Sequence, residues 1–130
     1  MIKESKYVEL DQVGQILVAR YKAGIVINLD IAKIIVKERL DFTSNKDVPV
    51  LVLDSGLVSM DKQARDYLSS DDGVRGIRAS AIILSSVINS MLVNFILKIS
   101  RPNLPVKVFT ERDAAEKWLI SFVDEEQQDG

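Results

Sequence analysis

The 130-residue chain contains no cysteine and no histidine. Without cysteine there are no disulfides, no thiolate nucleophile and no thiolate zinc site. Without histidine the commonest neutral-pH base is missing, and with it the serine triad and imidazole ligation of metals. Chemistry is left to carboxylates, Lys, Arg, Tyr and hydroxyls. That argues for a protein that binds rather than catalyses, and neither a cofactor nor a metal is expected. An excess of positive charge is also lacking: 17 Lys and Arg stand against 19 Asp and Glu, a net charge of −2. The basic footprint of a nucleic-acid binder is therefore absent from the chain as a whole.

Long apolar runs are scarce too. The longest, over residues 82–99, is broken by Ser85, Ser86, Asn89, Ser90, Asn94 and Lys98, so no membrane span is expected. The opening Met1-Ile-Lys-Glu-Ser-Lys6 is polar and does not have the form of a secretory leader, which makes the cytoplasm the expected location. What remains is ordinary globular material, 47% hydrophobic and 28% charged. The length suits one domain over residues 1–130, with 124–130 as a frayed acidic tail.

The most informative stretch is Pro49-Val-Leu-Val-Leu-Asp54 followed by Ser59-Met-Asp-Lys-Gln-Ala-Arg-Asp-Tyr-Leu68. An apolar run that ends in a carboxylate, crosses a short loop and becomes amphipathic is how a buried parallel strand passes into a helix. Similar handovers follow at 78–84 into 87–99, and at 106–109 into the helix after Thr110. Before them, residues 6–11 and 14–21 read as two strands joined by a short turn, an antiparallel hairpin. A first helix is expected over 31–42, capped by Asn28 or Asp30, with Ile31, Ile34, Ile35 and Leu40 apolar. A second covers about 60–70, with Ser59 as cap, and Gly73 is placed to allow a left-handed exit. Thr110-Glu-Arg-Asp113 has the form of a capping box, and Ala115, Trp118, Leu119 and Phe122 mark the buried face of the last helix. The order is a hairpin, then α, β, α, β, α, β, α. This predicts an α/β domain with a mixed, mostly parallel five-stranded sheet, about four helices and right-handed crossovers.

Across residues 7–122 the chain resembles the STAS/SpoIIAA-like group of small α/β domains, and more distantly the CRAL-TRIO lipid-binding domains. The segments that carry the likeness are Val50-Leu-Val-Leu-Asp54, Lys107-Val-Phe-Thr-Glu111 and Ala114-Ala-Glu-Lys-Trp-Leu119. The resemblance implies a binding or regulatory module. It breaks at one place that matters for function. Antagonists of that family carry a phosphorylatable Ser in an Asp-Ser-Ser-Gly-like motif where the helix after the Asp-ending strand begins. Here that stretch reads Met60-Asp-Lys-Gln63, with Asp61 kept but Lys62 and Gln63 in place of hydroxyls. A phosphorylation-switched antagonist is therefore not implied.

Two groups of residues are candidates for a site. Asp54, Ser55, Asp61 and Lys62, with Ser85, Ser86 and Asn89 from the next loop, can line the carboxyl edge of the sheet and hold an anionic group. The competing reading is that these side chains merely satisfy loop amides and cap helices. The second group lies on the third expected helix, where Val87, Ile88, Met91, Leu92, Val93, Phe95, Ile96, Leu97 and Ile99 leave only a strip through Ser90, Asn94 and Lys98 polar. A helix apolar almost all round needs cover on both sides. One cover is the sheet, and the other is a second subunit, a neighbouring helix or a lipid-like ligand. We expect a homo-oligomer, first of all a dimer, with Met91, Asn94, Phe95 and Lys98 at the interface. The alternative is a carrier of a lipid or other hydrophobic small molecule, using this helix and the sheet edge. The Gly73-Val-Arg-Gly76 loop with Arg65, Arg75 and Arg78 resembles a nucleic-acid clamp only superficially, because a strand follows it. Lys33, Lys37, Glu38 and Arg39 read as a solvated helix face.

Overall fold

The computed structural model describes residues 2–54, 59–83 and 104–123, with the side chain of Asp54 left out. Strands β2 (Val8–Val13) and β3 (Ile16–Tyr21) form the expected hairpin, in register from Val13 opposite Ile16 to Val8 opposite Tyr21. The turn between them places Gly14 at φ 59°, a backbone region that favours glycine. From β3 the sheet continues in parallel through β5 (Val48–Asp54), β7 (Ile77–Ile83) and β8 (Val106–Phe109). The three apolar strands of the sequence thus share one sheet. Pro49 sits where the β5–β7 register shifts, which is how a proline fits in a central strand.

The main sheet has six strands where five were expected, because β1 (Ile2–Glu4) adds an antiparallel edge to β2. All three β1 residues are exposed, so no alternation marks them. Two further pieces, β4 (Val26–Ile27) and β6 (Ser59–Met60), pair in parallel as a separate small sheet. Among the described residues there are three helices: α1 (Leu29–Phe42), α2 (Lys62–Leu68) and α3 (Arg112–Ile120). The helix expected over 87–99 lies outside the described residues.

The helices divide between the two faces of the sheet. Side chains of one parity, including Leu10, Leu17, Val50 and Ile82, pack with Ala32, Ile35 and Val36 of α1 and Ala64 and Leu68 of α2. The other parity, Ile16, Val18, Leu51, Ala79 and Ala81, packs with Ala115 and Leu119 of α3. Trp118 and Phe122 rim this second core beside Phe109, with ring centroids 5.7 Å (Phe109–Trp118) and 4.9 Å (Trp118–Phe122) apart.

Several local expectations shift. Asn28 does cap α1, accepting from the Ile31 amide at 2.9 Å, but the buried stripe is Ala32, Ile35, Val36 and Arg39, and Ile34 is 41% exposed. Arg39 is therefore not part of a solvated face. Ser59 does not cap α2: it is drawn into β6, and Asp61 takes the cap two residues later. The box at Thr110 does not form either. Glu111 holds the cap position of α3 and makes no side-chain cap bond. Gly73 is required by proximity rather than by a left-handed exit, since a Cβ there would stand 2.1 Å from the Tyr67 carbonyl oxygen. The left-handed residue is Gly76, at φ 80°.

Candidate functional site

Strands β3 and β5 end together at Tyr21 and Asp54, which face each other in the ladder, with Leu53 beside Ile83 of β7. The proposed carboxyl-edge site therefore starts from backbone placed as expected. After those strands β4 and β6 pair with each other, and the Asp61 amide donates to the Ile27 carbonyl at 3.1 Å. This bond fixes where α2 begins.

Asp61 and Lys62 are brought side by side at that point, and both are turned to local partners. Asp61 Oδ1 accepts from the Ala64 amide at 2.8 Å. Lys62 Nζ lies 3.0 Å from Asp66 Oδ2, one turn along, in an exposed pair. Arg65 Nη1 reaches back to the Met60 carbonyl at 2.6 Å. The capping reading accounts for Asp61, and a helix of seven residues offers only a short dipole to any anion. Ser55, Ser85, Ser86 and Asn89 lie outside the described residues, as do Met91, Asn94, Phe95 and Lys98 of the expected interface. Among the described residues no three His, Cys, Asp or Glu side chains gather as a metal site.

A polar centre that the charge pattern hid lies near the C-terminal end of α1. Arg39 is 7% exposed, donating through Nη1 to the Arg75 carbonyl at 2.6 Å and through Nη2 to the Gly73 carbonyl at 2.9 Å. It ties the loop before β7 to α1, and the Gly73 and Arg75 carbonyls face a protein side chain. A signal existed in the sequence: Arg39 falls at i+7, i+4 and i+3 from Ala32, Ile35 and Val36, on the buried stripe. Burial pushes the Arg39 guanidinium below its ordinary value, against the pull of Tyr21 and Tyr67. Burial likewise pushes the Tyr21 phenol up, with the Arg39 charge acting the other way.

An open cleft of about 380 Å³ lies between α1, α2 and the loop before β7. It is lined by Lys33, Lys37 and Asp41 of α1, Tyr67 of α2, and Asp72 and Arg75 of the loop before β7. Lys33 Nζ stands 5.9 Å from the centre of the Tyr67 ring, and Arg75 Nη2 is 2.7 Å from Asp72 Oδ1.

No helix among the described residues is long and apolar enough to cross a membrane. No curated protein matches the chain. Among solved structures it is similar to an uncharacterized protein of the DUF3478 family from Shewanella loihica PV-4, which has a SpoIIAA-like fold. The TM-score is 0.60 at 11% identity, over 90% of this chain and 98% of that one. This likeness shows the fold, and the hairpin-led mixed sheet is accordingly SpoIIAA-like. The model of one family matches residues 10–123, from within β2 through α3, and the chain belongs to that family, the domain of unknown function DUF7793.

Proposed function

We propose that the chain is a non-enzymatic binding or regulatory module of the SpoIIAA-like type that works as a homo-oligomer, a dimer in the simplest case. A SpoIIAA-like fold supports a binding or regulatory role at the level of architecture. The observation that carries the oligomer is a surplus of apolar side chains. The described elements already pack a core on each face of the sheet. The segment 87–99 then adds nine large apolar residues spread around most of a helical circumference. One sheet face accepts only one side of such a helix, so the other needs a second surface. A second copy supplies it with Met91 and Phe95 meeting across the interface and Asn94 and Lys98 as polar contacts. Of the polar side chains proposed at the carboxyl edge, the two described are engaged by their own helix, which favours recognition through a surface over a ligand held at Asp61 and Lys62. The chemistry open to a chain without His and Cys fits the same role.

Native mass spectrometry of the purified chain tests the proposal. A species of twice the chain mass, free of added small molecules, is the expected result. A monomer without bound lipid overturns the oligomer. A monomer that carries lipid overturns it in favour of a hydrophobic carrier.

A further inference from the structure

We propose that the cleft between α1 and α2 is a docking site for an acidic segment of a protein partner. Lys33 and Lys37 are one turn apart on α1, a like-charge spacing that works against the helix unless an anion answers it. Asp41 follows a turn later, yet among the described residues Lys37 makes no ion pair. Arg75, in the loop before β7, is anchored because Arg39 holds its carbonyl at 2.6 Å. Its own guanidinium pairs with Asp72 in an exposed contact, the kind that a competing carboxylate or phosphate displaces at little cost. Three cations, Lys33, Lys37 and Arg75, thus line the cleft with two carboxylates, Asp41 and Asp72, in a chain whose net charge is −2.

Shape favours a chain segment over a small molecule. The column Lys33–Lys37–Asp41 climbs eight residues, about 12 Å of helix, which matches three or four residues of extended peptide. The cleft is open along this length, with Val36, Leu40 and Tyr67 as its less polar lining. The charges also give it a direction. Acidic side chains belong opposite Lys33 and Lys37, and a neutral or basic one opposite Asp41. The site goes beyond the binding-module reading and does not depend on the number of subunits.

Amide NMR of the full chain at low salt tests it, with a tetraglutamate peptide, the same peptide carrying phosphoserine, a tetraglutamine control and inorganic phosphate as probes. We expect both acidic peptides to shift Lys33, Lys37, Tyr67 and Arg75, and tetraglutamine to shift nothing. The double variant Lys33→Gln, Lys37→Gln should bind about tenfold more weakly, two exposed ionic contacts being lost. Both lysines are exposed, and an unchanged urea midpoint will show that this variant folds. Shifts scattered over Lys3, Lys6, Lys46, Lys62 and Lys107, unaltered in the variant, would overturn the site. Inorganic phosphate binding at the same residues as tightly as the peptides would overturn the peptide assignment.

Discussion

The two faces of this sheet are held by different means. On the face of α1 and α2, two helices cover large aliphatic side chains from β2, β3, β5 and β7, and a buried arginine ties the far loop to α1. On the other face one described helix, α3, lies over Ala79 and Ala81 of β7, each fully buried. Small residues let that helix approach closely, and the aromatic trio Phe109, Trp118 and Phe122 fills the rim. The difference is instructive. Where two described helices share a core, contacts are redundant, and where one described helix covers the strands, a few of its side chains carry the contact.

That contrast can be broken by mutation. Leu119→Ala should cost about 4 kcal/mol, because little else on α3 can collapse into the gap. Ile35→Ala, on the shared core, should cost about 3 kcal/mol in the same urea titration. Equal costs, or the reverse order, would show that the faces do not differ in redundancy. Arg39→Met comes next, at about 2–3 kcal/mol, since it strands one buried and one part-buried carbonyl while keeping the side chain's bulk. Urea midpoints compared with those of Arg75→Gln, which keeps the Arg75 carbonyl, separate the backbone anchor from the surface charge. Asp61→Ala removes only a helix cap and should cost about 1 kcal/mol.

The smallest effect is one of pH. The Tyr21 phenol is raised above its ordinary value by burial, so the fold favours its protonated form. Below the unfolded value of about 10 both states hold the proton and stability is unaffected. Above it the unfolded chain releases the proton first, and stability falls until the folded phenol follows. Urea midpoints at about pH 9 and about pH 11 should show this fall, and Tyr21→Phe should shrink it.

The same contrast explains what was legible in the sequence. Apolar runs and amphipathic spacing revealed β2, β3, β5, β7, β8 and the described helices, because each is a local pattern answering a long-range surface. β1, β4 and β6 left no such trace: one is wholly exposed, and the other two have two residues each. Ser59 was a sound cap by local rules, but pairing with Val26 in a distant segment takes it into a strand and moves the cap to Asp61. The charge of Arg39 points to solvent, whereas its position on the stripe of Ala32, Ile35 and Val36 points inward, and the position prevails. Of the proposed carboxyl-edge site, Asp54, Asp61 and Lys62 lie where the topology puts them, and the bonds of Asp61 and Lys62 explain why type and spacing alone could not tell a cap from a ligand contact.

Sedimentation equilibrium at micromolar concentration tests the central claim most directly, run on the natural chain and on the double variant Met91→Asp, Phe95→Asp. The account predicts twice the chain mass for the first and a single folded chain for the second. A natural chain that stays monomeric at every concentration would contradict it.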